Sequence, residues 1–100
     1  MTPEAFLSSV KAAIDAYVTG TIVGQDLVRR IDTLMADELP DGLSDSLLEM
    51  LNGFQDDLAL YVEDRKQRKE HPAYFGPDEL MGKTMAMKER LHAVRLCKND

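Results

Sequence analysis

Four amphipathic stretches, cut apart by proline and glycine, constrain this chain more than any other feature. Each repeats its apolar residues at steps of three and four, which gathers them on one face of a helix; no stretch alternates long enough for a strand. The first runs from about Pro3 to Thr19, with Thr2 as the expected cap, Pro3 suited to the first helical position and Gly20 as the stop. Phe6, Val10, Ala13, Ile14, Tyr17 and Val18 form its apolar stripe. The second runs from about Gln25 to Glu38 with Leu27, Val28, Ile31, Leu34 and Met35 inward, and Leu39-Pro40-Asp41-Gly42 turns the chain. The third starts after Ser44, a capping residue, and carries Leu47, Leu48, Leu51, Phe54, Leu58, Tyr61 and Val62 inward. Residues 64–76 lose the period and hold Pro72 and a basic run from Arg65 to Lys69. The fourth restarts at Gly76-Pro77-Asp78-Glu79, with two acids in the positive first turn, and buries Leu80, Met81, Thr84, Met87, Leu91 and Val94. Amphipathic helices of this length on short loops predict an all-α fold, an antiparallel four-helix bundle.

At 100 residues the chain is expected to form one domain with one modest core, and its 44% hydrophobic content is ordinary for a globular protein. No apolar run approaches the length of a membrane span. Met1-Thr2-Pro3-Glu4 has no basic region, and Ser8, Ser9 and Lys11 interrupt the apolar residues behind it, so no signal peptide is read. The single cysteine, Cys97, makes no internal disulfide. These features predict a cytoplasmic protein.

Charge is distributed unevenly. Residues 1–25 sum to −1, residues 26–64 carry eleven acids against Arg29 and Arg30, and residues 65–100 carry nine bases against five acids. The middle of the chain is therefore the acidic part of a protein whose net charge is −6. A field of that sign repels nucleic acid and anionic lipid and attracts basic protein surfaces or cations. Neither direct nucleic-acid binding nor membrane binding is expected.

The supply of catalytic groups is poor. His71 and His92 have no His, Cys or paired acids at metal-ligand spacing, and read as solvated surface histidines. Cys97 falls among the last four residues, where chain ends fray, and reads as an inert thiol. Gly20 and Gly24 lack the lysine, the hydroxyl and the preceding strand of a phosphate loop. The methionines fall mostly in helical stripes, with Met81 and Met85 expected at a rim. No enzymatic activity, cofactor or metal is implied.

The acidic face of the third helix is the sharper signal. At about 100° per residue, Asp45, Glu49, Asn52, Asp56 and Glu63 share one side, opposite the apolar stripe, with Asp57 and Asp64 flanking it. No lysine or arginine lies between Arg30 and Arg65, so no i,i+4 ion pair forms within that helix. Glu63 and Asp64 are expected near its C-terminus, where the helix dipole disfavours anions. Two readings follow: a solvated face, or a docking surface for a basic partner built from Asp45, Glu49, Asp56, Asp57, Glu63 and Asp64.

Asp45-Ser46-Leu47 at the start of this acidic helix also resembles the phosphopantetheine site of acyl carrier proteins, which are small acidic four-helix bundles. That resemblance implies a carrier modified at Ser46. Two helices precede Ser46 here where that family has one helix and a long loop, and the basic run after the third helix has no counterpart.

From Tyr17 to Leu91 the chain resembles the colicin D immunity family and its relatives in contact-dependent growth inhibition. The similar features are Tyr17, Gly20 and Ile22, a long third helix ending Tyr61-x-x-Asp64, then Arg68, a loop and the Pro77-Asp78-Glu79-Leu80 restart. The resemblance implies an immunity protein that covers the active site of a tRNA-cleaving bacterial toxin with acids, and Asp64 matches the acid the family places at the end of its third helix. Glu63, Asp56 and Asp57 join it on the charge argument alone. A site that holds RNA phosphates is lined with Lys and Arg, so a carboxylate cluster can occupy it as a phosphate mimic through charge-assisted pairs.

Overall fold

The computed structural model describes residues 1–94 and 96, and within them the caps expected from sequence organise the chain. The Thr2 hydroxyl accepts the Ala5 N–H at 3.1 Å and opens α1 (Pro3–Val18). After a turn through Gly20, α2 (Gly24–Asp37) begins without a side-chain cap. The Ser44 hydroxyl accepts the Leu47 N–H at 3.1 Å and opens α3 (Asp45–Leu58). A single turn, α4 (Arg65–Arg68), precedes α5 (Pro77–Ala93), whose first turn holds Pro77, Asp78 and Glu79. The described residues contain five helices and no strand, and Cys97 lies outside them.

The third helix is shorter than its period predicts. It ends at Leu58, where the Leu60 and Tyr61 N–H groups donate to the Asp57 and Leu58 carbonyls at 3.0 and 3.1 Å and tighten the last turn. The backbone then leaves the helix for a partner distant in sequence. Val62 N–H donates to the Phe75 carbonyl at 2.9 Å, and Phe75 N–H donates to the Leu60 carbonyl at 3.1 Å. This isolated parallel bridge between Tyr61 and Phe75 takes up groups that a continuing helix would have satisfied internally. The long third helix ending at Asp64 is therefore corrected: residues 59–64 form a connection, and the segment after it, read as irregular, holds α4.

Among the described residues sixteen apolar ones form the buried core, including Phe6, Ile14, Leu27, Ile31, Leu47, Leu51, Leu58 and Leu80 at 0–1% exposure. Leu43 and Phe75 belong to this core although they lie outside all four periodic stretches. α1 packs on α2 and α5, and α3 packs on α2 and α5. The radius of gyration, 13.9 Å, is near the ~13 Å of a compact chain of this length. No described helix is long and apolar enough to cross a membrane.

Candidate functional site

Three neighbouring features converge on α3: its outer acidic face, the groove between α3 and α5, and the connection that follows it. Asp45, Glu49, Asn52 and Asp56 are exposed along α3, opposite the buried Leu47, Leu51, Phe54 and Leu58. α3 ends without a basic residue in its last turn, so Asp56 and Asp57 meet the negative end of the dipole uncompensated within their own helix. Of the eleven acids in residues 26–64, Asp26 and Asp57 have an ion pair among the described residues, with Arg29 at 3.7 Å and Lys83 at 4.0 Å. Asp32 instead accepts a hydrogen bond from Gln55 at 3.0 Å, tying α2 to α3. Such exposed pairs contribute little to stability, and most of this negative charge stays uncompensated.

Glu49 and Asp57 also line the open groove between α3 and α5, about 620 Å³ in volume. Met50, Phe54 and Met87 supply apolar surface, Gly53 and Ala86 leave it open, and Lys83 and Arg90 of α5 face the two acids. Ser46 lies at the rim, exposed in the first turn of α3.

The structure does not join Glu63 and Asp64 to this surface. They belong to a separate concavity beyond the end of α3, lined by Gln25, Tyr61, Val62 and Gln67. Asp64 is the N-cap of α4, its carboxylate accepting the Lys66 N–H at 2.8 Å, so it meets the positive end of a helix and not the negative end expected from sequence. Glu63 accepts the Tyr61 hydroxyl at 3.2 Å, and the Arg68 guanidinium donates to its backbone carbonyl at 3.4 Å. The expected crowding of Asp56, Asp57, Glu63 and Asp64 at one helix end is replaced by two acidic groups on separate elements.

Tyr61, read from sequence as a core residue of the helix, ties the second group to the fold. Its ring lies against the start of α2 so closely that a Cβ on Gly24 would come within 2.8 Å of it, and it meets Phe75 at 6.2 Å between centroids. Burial, and then the hydrogen bond to Glu63, push the Tyr61 hydroxyl up to about 12. Tyr17 is raised in the same direction by burial and by Asp78. A raised tyrosine contributes stability that is intact below its ordinary value of 10.0 and lost as pH climbs toward the folded value. The urea midpoint is expected to fall between pH 10 and about 12, and to fall less in Tyr61→Phe. Equal slopes for the two proteins would remove Tyr61 as a cause.

His71 and His92 are exposed, with His71 Nδ1 accepting the Ala73 N–H at 3.1 Å. No group of three or more His, Cys, Asp or Glu side chains among the described residues is placed to hold a metal ion. Met85 is exposed, and Met81, on the stripe expected to face inward, is only half-buried and so lies at the rim.

No family model, curated protein or solved structure matches the chain.

Proposed function

We propose that this protein is an immunity-type inhibitor that docks its acidic α3 surface on a basic, tRNA-cleaving toxin domain and blocks its active site, with no turnover of its own. The observation that carries the reading is the row of exposed carboxylates Asp45, Glu49 and Asp56, without ion pairs among the described residues, on a helix that contains no base. Uncompensated like charge on one face is relieved by a basic partner, and opposite fields speed encounter. Asp57 adds to this face at its groove edge, while Glu63 and Asp64, in the separate concavity beyond α3, form a second acidic group proposed to contact the same partner. The proposed frame is an antiparallel four-helix bundle of α1, α2, α3 and α5. In support, the Asp57–Lys83 pair joins the last groove residue of α3 to the first of α5, as antiparallel neighbours do. The proposed setting is the cytoplasm.

A second reading, a carrier protein modified with phosphopantetheine, is favoured by one observation: Ser46 is exposed in the first turn of α3 beside the groove. Co-expression with the protein encoded beside it and with a broad carrier-protein transferase separates the two. The inhibitor reading expects a salt-sensitive complex, suppressed RNA cleavage and an unchanged intact mass. A mass increase of one prosthetic group at Ser46, with no complex, overturns it in favour of the carrier.

A further inference from the structure

Gly53 sits in the interior of α3, where glycine costs about 1 kcal/mol relative to alanine. Nothing in the fold requires it. A Cβ there meets no atom within 4 Å, and its backbone is not left-handed. Across the seam stands Ala86, also exposed, and between them opens the groove of about 620 Å³. Met50 and Met87, with Phe54, offer an adaptable apolar lining.

Charge identifies the occupant. The α3 wall carries Glu49 and Asp57 and continues outward into Asp45 and Asp56; the α5 wall carries Lys83 and Arg90. Lys83 and Asp57 are set against each other, with Lys83 also over the Phe75 ring at 5.4 Å, which leaves Glu49 and, outside the groove, Asp45 and Asp56 against Arg90, an excess of acid along the α3 edge. A segment that lays apolar side chains between Gly53 and Ala86 must therefore carry cations along the edge that meets α3.

We infer that the α3–α5 groove receives an amphipathic helix of the basic partner, whose apolar anchor fills the space left by Gly53 while its flanking Lys or Arg side chains pair with Glu49, Asp45 and Asp56. This rests on the basic-partner reading and adds the contact that reading lacks. Exposed ion pairs alone bind weakly, whereas a buried anchor in a pocket supplies most of an interface's energy.

Three synthetic helical peptides of one length test it on the full chain: Leu/Lys amphipathic, Gln/Lys without an apolar face, and Leu/Glu with the charge reversed. The Leu/Lys peptide is expected to shift backbone amide resonances in residues 46–57 and 83–90. Gly53→Leu is expected to weaken that binding by roughly tenfold or more, because its side chain takes the anchor's place. Gly82→Leu on α5, where a Cβ also meets nothing but which lies outside the groove lining, controls for the gain in helix propensity and is expected to leave binding unchanged. Failure of the Leu/Lys peptide to bind, or unaltered binding to Gly53→Leu, overturns the groove. If Gln/Lys binds as tightly as Leu/Lys, the basic-partner reading stands and the groove falls. If Leu/Glu binds as tightly, the basic-partner reading itself falls and takes this inference with it.

Discussion

Replacing Leu51 with alanine is expected to cost about 2–5 kcal/mol, a large share of the ~5–15 kcal/mol that holds a domain of this size together. Leu51 is fully buried in the middle of α3, so truncation removes apolar contacts and leaves a cavity at once. The melting temperature is expected to drop by about 4–8 °C for each kcal/mol lost. Met50, one residue earlier and half-buried at the groove, gives the comparison: its alanine variant is expected to lose much less, because its side chain already borders open space. Equal losses at the two positions would mean that the core is not centred where the buried residues place it.

The same helix marks where the fold was legible in sequence and where it was not. Thr2, Ser44, Pro3 and Pro77 announced the helix starts, because capping is decided by residues within a turn of the boundary. The inward stripes were legible for the same reason: a period of three and four is local information. The end of α3 was not. Leu58, Tyr61 and Val62 continue the apolar spacing, and no glycine or proline interrupts them. What ends the helix is Phe75, which supplies backbone partners to Leu60 and Val62 from across a loop. Phe75 and Leu43 were missed as core residues because each stands alone in a connection, with no repeat to reveal which way it faces.

That misplaced boundary also changes the acidic surface. Exposure of Asp45, Glu49 and Asp56 followed from helical geometry within a segment that is in fact helical. Projecting the same wheel to Glu63 placed it on a face that does not extend so far. Asp64 changes role altogether, from an anion strained at a helix end to the cap that opens α4. The groove had no local signal, since it needs Gly53 and Ala86 on different helices to come opposite each other.

On the proposed inhibitor reading, reversing Asp45, Glu49 and Asp56 together to lysine is expected to abolish protection of cells that make the proposed toxin, while the protein stays folded. The three side chains are exposed and make no ion pair among the described residues, so their replacement breaks no internal contact of that kind. The dipole terms oppose each other: lysine at position 45 enters the positive first turn, lysine at position 56 enters the negative last turn, and each is worth about 0.3–1 kcal/mol. Stability should therefore change little, whereas attraction to a basic site becomes repulsion. Reversing Glu63 and Asp64 tests the second acidic group separately. That double variant is expected to lose protection too, and to melt slightly lower, because Asp64 no longer caps α4 and Glu63 no longer accepts the Tyr61 hydroxyl. Association of the unaltered protein with the toxin should slow as salt is raised, since screening shortens to about 10 Å at 0.1 M and about 3 Å at 1 M. A solvated face with no docking role makes the opposite forecast for both variants: full protection at any charge. Survival of cells carrying the triple reversal at the level of the unaltered protein would exclude α3 as the inhibitory surface. The Glu63 and Asp64 group and the basic segment from Arg65 to Lys69, a surface of opposite sign, would then be the next places to test.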